Sequence, residues 1–306
     1  MNRFTLSGDI RISRVRLRTP DADRLLKFYG GLLGFREAKH ADATAGLSAT
    51  GIGPSAIVLT ESSRSRPRPA QSTGLYHTAV RVPQRRDLAR LLARLMSSGY
   101  PLGGAADHGV SEALYLEDPD GNGVELYWDK PREQWPWHGG QIAMVTEPLD
   151  ARGLLALADL SSDEATLPAE TVVGHIHLQV GDLAGAEKFY AGLLGLAVMQ
   201  RSFPGALFLS AGGYHHHLGL NTWGVAGALP PPTDAAGLIS FGIELSSAEA
   251  WNALRLHLAS GDSAGAKVEE VSDVIRLTDP SGVIVEIFPG SGVPAGDVSS
   301  RIAFQA

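Results

Sequence analysis

No cysteine occurs among the 306 residues. That excludes disulfides, thiolate nucleophiles and cysteine-ligated zinc or iron–sulfur centres. Basic charge is scarce: 26 Lys and Arg stand against 33 Asp and Glu, giving a formal charge of −7 and a pI of about 5.8. Nucleic-acid affinity needs clustered cations to neutralise phosphates, so no such partner is expected. The one basic run, Arg64 to Arg68, is short and rich in Pro and Ser, and reads as a linker. No stretch approaches 18 continuous apolar residues, and the opening MNRFTLSGDI has no apolar core of signal-peptide length. No membrane partner is expected, and a cytoplasmic protein is the expectation. Gly-rich phosphate loops, nucleophile elbows and zinc-protease His pairs are missing too. With 44 % hydrophobic and 19 % charged residues, the chain reads as globular and long enough for two domains.

What is present is repetition. DADRLLKFYGGLLGF (21–35) returns as DLAGAEKFYAGLLGL (182–196), and LEDPDGNGVELY (116–127) returns as LTDPSGVIVEIF (277–288). Both pairs share an offset of 161 residues. The chain therefore reads as a tandem duplication, with halves at 10–130 and 170–290. The intervening 131–169, which opens on PREQWPWHGG and includes most of LSSDEATLPAE, reads as a linker with one short helix near LDARGLLALADL.

Each half divides again. ISRVRLRTP and GHIHLQVGD alternate with a two-residue period and read as strands, each leading into the helix carrying KFY. An Asp starts each helix and a Gly stops it. Further strands follow, and the pattern restarts at YHTAVRV (76–82) and ISFGIEL (239–245), with helices at RDLARLLARLMSSGY and AEAWNALRLHLAS. DPDGNG and DPSG read as hairpin turns. The result is four units of strand–helix–strands in an α+β fold.

Placing the opening strands of the four units in register puts histidine first in two of them, His77 in unit 2 and His175 in unit 3. Arg14 and Ser240 take that place in units 1 and 4. Closing strands carry Glu125 and Glu286, each seven residues after the Asp of Asp-Pro. A carboxylate in an apolar strand costs free energy unless paired or bound to a metal. Two imidazoles and one carboxylate with open positions is the ligand set of non-haem Fe(II) oxygenases. His77, His175 and Glu125 are therefore candidate ligands. His177 shares a strand face with His175 and reads as a support for the ligands or as packing. The tract His215-His216-His217 is assigned to the last strand of unit 3, with His215 and His217 on one face and His216 on the other. Periodicity alone does not say which face looks inward.

These segments, with SAGGYHHHLGLNTW, resemble the vicinal-oxygen-chelate superfamily and, within it, the extradiol ring-cleaving catechol 2,3-dioxygenases. The resemblance runs from about residue 10 to 290. It implies four βαβββ units in two tandem glyoxalase-like halves, paired into cup-shaped half-barrels around a metal. It implies Fe(II), or Mn(II), held by His77, His175 and Glu125, with O2 as co-substrate and a small aromatic diol as substrate. His216, before Leu218-Gly219-Leu220, matches the family's acid/base histidine, with His215 in reserve. Tyr115, ten residues before Glu125, and His108 match a substrate-binding pair, although His108 stands two residues closer to Tyr115 than the family spacing. Phe203, Phe208, Trp223 and Leu220 read as apolar lining or core. The implied product is a muconic semialdehyde. The same fold also serves metal-dependent glyoxalase-type isomerases and metal-free antibiotic binders, and the sequence is compatible with a homo-oligomer.

Arg14 and Ser240 depart from that family's pattern, in which the paired units each supply a first-strand histidine. Pairing units 1 with 2, or 3 with 4, gives no site two first-strand histidines. Pairing units 2 and 3 supplies both His, the Glu and the acid/base His. The expectation is a site spanning the two halves, with Glu286 bearing no metal.

Overall fold

The computed structural model describes residues 4–6, 8, 10–39, 44–159, 166–260, 266–271 and 273–290. Unit 1 comprises β1 (Ile10–Thr19), α1 (Ala22–Leu26, continuing as a π-helical turn over Lys27–Leu32), β2 (Arg36–Ala38), β3 (Ala45–Ser48) and β4 (Ile57–Glu61). Unit 2 has β5 (Gly74–Arg81), α2 (Arg85–Ser98), β6 (Gly104–Asp107), β7 (Ser111–Glu117) and β8 (Gly123–Asp129). A connector follows with β9 (Trp137–His138), β10 (Gln141–Ile142), β11 (Glu147–Pro148) and α3 (Ala151–Leu155). Unit 3 has β12 (Val172–Gln179), α4 (Leu183–Glu187, with a π-helical turn over Lys188–Leu193), β13 (Ala197–Gln200), β14 (Ala206–Ser210) and β15 (Leu218–Asn221). Unit 4 has β16 (Gly237–Leu245), α5 (Ala248–Ala259), β17 (Lys267–Val271), β18 (Val274–Thr278) and β19 (Ile284–Pro289). Each unit is βαβββ.

Local chemistry sets the helix ends. Asp21 and Asp182 accept hydrogen bonds from backbone N–H groups of the first turns of α1 and α4, and Ser247 does so for α5. Gln84 and Asp87 form a reciprocal box at the start of α2. Gly34 and Gly195, at φ of 91° and 77°, turn the chain out of the two KFY helices, in a conformation that disfavours any residue with a Cβ.

The units do not pair within their own halves. Two sheets form, ordered β17-β18-β19-β16-β1-β4-β3-β2 and β11-β6-β7-β8-β5-β12-β15-β14-β13. Units 1 and 4 make the first, joined where β1 runs antiparallel to β16. Units 2 and 3 make the second, joined where β5 runs antiparallel to β12. Each sheet curls into a cup, and both seams cross between the tandem halves.

Buried hydrogen bonds tie each half together instead. Tyr29 Oη, in the first KFY motif, donates to Asp118 Oδ2 at 3.0 Å, and Tyr190 Oη donates to Asp279 Oδ2 at 2.9 Å. The two repeated motifs thus meet: the helix of one unit is pinned to the Asp-Pro turn of the next. The connector packs rather than dangles, burying Trp135, Ile142 and Met144 and adding β11 to the edge of the second sheet. Part of the LSSDEATLPAE stretch, 160–165, lies outside the described residues. In the basic run, Arg66 pairs with Asp234, and Arg68 donates to Leu75 O and Gln179 Oε1.

Candidate metal centre and active site

The seam between units 2 and 3 positions the site. Antiparallel pairing sets His175 opposite Ala79 and His177 opposite His77. Parallel pairing of β5 with β8 sets Glu125 beside Ala79. His175, Ala79 and Glu125 therefore form a row across three strands, and residues in one row share a face. The small Ala79 between them lets the longer side chains meet above it. Its neighbour on that face, two residues back, is His77.

The three side chains converge on one oxygen. His175 Nε2 lies 3.1 Å from Glu125 Oε2, and His77 Nε2 lies 2.9 Å from the same atom. The ligand atoms of all three lie within 4.8 Å of one another, and all three residues are buried. His77 Nε2 is out of hydrogen-bond alignment with that oxygen and has no hydrogen-bond partner among the described residues. A buried imidazole nitrogen left in that state is costly unless something else accepts its lone pair. Burial alone would raise the Glu125 pKa, but His175 and His77 hold it well below the usual carboxylate range. Burial pushes His175 down to about 4, against the pull of Glu125. An ionised carboxylate beside the neutral imidazole of His175 suits a divalent cation, which needs its ligands deprotonated. The donor set fits such an ion.

The three consecutive histidines require a correction. They do not lie on a strand. Gly212 and Gly213, at φ of 62° and 68°, turn the chain after β14, and β15 starts only at Leu218. Residues 214–217 are irregular, so strand alternation does not assign their faces. His217 Nδ1 bonds to Ser210 Oγ at 2.9 Å. His216 lies against His175, with ring centroids 4.1 Å apart, and lines the cavity. His215 stands behind it: its Nδ1 is 2.8 Å from His216 Nδ1, and its Nε2 is 2.8 Å from Asp129 Oδ1.

That chain of contacts fixes tautomers. An ionised Asp129 only accepts, so His215 donates from Nε2, and a ring with that single proton accepts at Nδ1. His216 then donates from Nδ1, which leaves its Nε2 with a lone pair. Burial works to raise the Asp129 pKa, but the His215 hydrogen bond and the Arg81 charge hold it below its usual value. Burial and the surrounding imidazoles hold His216 well below its ordinary pKa, so it stands neutral at pH 7.

Tyr115 sits directly across β7 and β8 from Glu125. Its hydroxyl lies 2.7 Å from His108 Nε2, and His108 Nδ1 lies 2.7 Å from Val145 O. The carbonyl accepts from Nδ1, so Nε2 is the acceptor for the Tyr115 O–H. Burial and the Glu125 charge push the Tyr115 hydroxyl well above its usual pKa, keeping the proton on. His177 Nε2 is 3.1 Å from Asn221 Nδ2, and a Cβ at Gly219 would sit 2.8 Å from its ring. The glycine of Leu218-Gly219-Leu220 thus makes room for His177.

These groups open on a cavity of about 560 Å³. Phe203, Phe208 and Trp223 line it, whereas Leu220 is fully buried in the core. Met144, Val145 and Thr146 of the connector form another wall. Neither Asp129 nor the connector wall is anticipated in the sequence reading. A signal for Asp129 exists: it lies four residues after Glu125 on one strand, hence on the same face. Nothing local marks the connector residues.

The geometry has counterparts among known proteins. The Glyoxalase/Bleomycin resistance protein/Dioxygenase superfamily matches residues 11–126 and again 172–287. The chain is 40 % identical over 287 residues to a catechol-2,3-dioxygenase of Bacillus subtilis, covering 90 % of this chain and 96 % of that one. A biphenyl-2,3-diol 1,2-dioxygenase of Rhodococcus globerulus is 40 % identical over 63 residues, 21 % of this chain and 33 % of that one. The crystal structure of glyoxalase I from Zea mays shares the fold, with a TM-score of 0.54 at 20 % identity over 92 % of each chain. The chain belongs to the glyoxalase/bleomycin resistance protein/dioxygenase superfamily, and within it to the catechol 2,3-dioxygenase-like extradiol enzymes.

Proposed function

We propose that this enzyme opens catechol-type aromatic diols to muconic semialdehydes with Fe(II) and O2, at the seam between units 2 and 3. The observation that carries the reading is the convergence of His77, Glu125 and His175, with His77 and Glu125 in the wall of an apolar cavity. His77, Glu125 and His175 would hold Fe(II), with Mn(II) as the substitute, and the ion would supply the charge that favours the diol's anion and the means of activating O2. Both atoms of O2 enter the product, so no reductant is needed.

The chain's own residues have distinct tasks. His216 Nε2 takes a proton from a diol hydroxyl and returns it later, with His215 and Asp129 holding the tautomer. Tyr115 hydrogen-bonds an oxygen of the substrate or the opening ring, and His108 orients it. Phe208 and Trp223 flank the ring and keep water out. No lysine or arginine lines the cavity among the described residues, which suits a diol with uncharged substituents.

The test is oxygen uptake by anaerobically Fe(II)-loaded protein given catechol. Uptake with a yellow product is expected. Activity with Ni(II) or Zn(II) on a thiol adduct of a ketoaldehyde, without oxygen uptake, would make the protein an isomerase instead. Purified protein without affinity for any divalent ion would return it to the metal-free binders.

A further inference from the structure

The cup built by units 1 and 4 is the working cup's twin, and strand register gives its counterparts one by one. In the working cup, His77 faces Gly123 and Ala79 faces Glu125 across β5 and β8. In the twin, Ser240 faces Ile284 and Gly242 faces Glu286 across β16 and β19. Ser240 therefore stands where His77 does, and Glu286 where Glu125 does. Across the central seam, Arg14 faces Gly242 and Arg16 faces Ser240, the places of His175 and His177. Arg276 pairs with Glu286 as Tyr115 pairs with Glu125. Three arginines thus replace two imidazoles and a phenol.

The replacement conserves a charge pattern while discarding the ion. Arg14 Nη2 reaches Glu286 Oε2 at 2.9 Å, and Arg276 Nε reaches Oε1 at 3.0 Å. Ser240 Oγ adds a bond at 3.2 Å. The guanidinium groups hold Glu286 below its ordinary pKa against burial. In front of this clamp lies a cavity of about 320 Å³, lined by Arg16, Lys267 and Arg276 against Glu269 and Glu286, with Ile239 and Ile284 as apolar wall. Arg14, behind Glu286, adds a fourth cation, and its Nε has no hydrogen-bond partner among the described residues. Glu269 pairs with Lys267 at 2.6 Å, and Glu286 is shared by Arg14 and Arg276, yet the four cations still outnumber the two carboxylates, so the concavity attracts anions. Guanidinium forks match planar carboxylates, and two isoleucines offer a surface for an apolar body.

We propose that this second cup binds a small organic carboxylate with an apolar body, without a metal. The site is separate from the proposed active site and does not depend on what that site catalyses. The test is calorimetric titration of the full-length protein with benzoate at low ionic strength, with inorganic phosphate as comparison. One benzoate per chain is expected, with a Kd on the order of 1 mM or tighter. Arg16→Gln should weaken it by about tenfold or more, because a charge-assisted pair is removed. Glu286→Gln should tighten it several-fold, since two guanidinium groups lose their internal carboxylate. A purely structural clamp predicts no such gain. Circular dichroism checks that both variants fold; should Glu286→Gln fail to fold, Lys267→Gln, expected to weaken binding, replaces it. Absence of saturable binding, binding indifferent to Arg16→Gln, or phosphate binding as tightly as benzoate would each overturn the proposal.

Discussion

His216 Nδ1 lies 2.8 Å from His215 Nδ1, and His215 is in turn bonded to Asp129. If His216 moves the proton, Asp129 sets which ring nitrogen carries it. Asp129→Asn can place an N–H where an acceptor is needed and so reverse the order of donors. We expect it to lower kcat by about 10- to 100-fold with iron content unchanged, and His216→Ala by about 10²- to 10⁴-fold. The profile of kcat against pH should also change for Asp129→Asn, which a merely structural loss would not produce. Equal iron content with unchanged kcat would remove Asp129 from the proposed machinery.

The two glutamates separate the two cups. Glu125→Gln, His77→Ala and His175→Ala should each lower bound iron by tenfold or more, because each removes one of three ligands. Glu286→Gln should leave iron content as it is, since Glu286 is bound by Arg14, Arg276 and Ser240. Iron analysis of dialysed protein reads this directly. Loss only in the Glu286 variant would place the metal in the other cup.

Much of this arrangement is legible in the chain itself, because repeats report architecture. The offset of 161 residues fixes four units, and the first-strand histidines of units 2 and 3 have a common neighbour in Glu125 only if those units pair. The sheet order has that pairing. The histidine tract is less legible, because two glycines with positive φ take it off the strand and cancel the alternation used to read its faces. His215's partner is 86 residues away, and the connector's contribution to the cavity wall comes from packing. The π-helical turns also have no simple period, although the KFY and Asp-Pro motifs they join repeat together.

The lining of the cavity predicts a preference for uncharged diols. A carboxylate carried into it would meet no lysine or arginine among the described lining residues, and Glu117 stands in the wall. Burying an unpaired charge costs several kcal/mol, and every ~1.4 kcal/mol corresponds to a factor of ten. We expect kcat/KM for 4-methylcatechol or 3-phenylcatechol to exceed that for 3,4-dihydroxybenzoate by about 10²-fold or more. Thr146→Arg, which puts a cation into the connector wall, should narrow the gap. Equal rates with neutral and carboxylated diols in steady-state oxygen uptake would show that the ring substituent is not enclosed.

Asp118 and Asp279 hold equivalent turns but in unequal surroundings. Asp118 accepts from Asp120 N, Asn122 N, Asn122 Nδ2 and Tyr29 Oη. Asp279 accepts from Ser281 N, Val283 N and Tyr190 Oη, because valine replaces the asparagine. Burial raises both, and pushes Asp279 up to about 6. A carboxyl whose folded pKa lies above its unfolded value of about 4 binds its proton more tightly when folded. Its contribution is full below pH 4 and is lost as the pH rises through 6. Between pH 7 and pH 5 this group alone should add about 1 kcal/mol of stability. Val283→Asn restores the missing donor and lowers the Asp279 pKa, so the variant should gain less on acidification. Urea midpoints for both proteins at pH 5, 6 and 7 test this, with the difference between the two slopes as the readout, because the buried methyl groups lost with Val283 shift every midpoint alike. Parallel slopes would mean that Asp279 is ionised throughout, its three hydrogen bonds outweighing its burial.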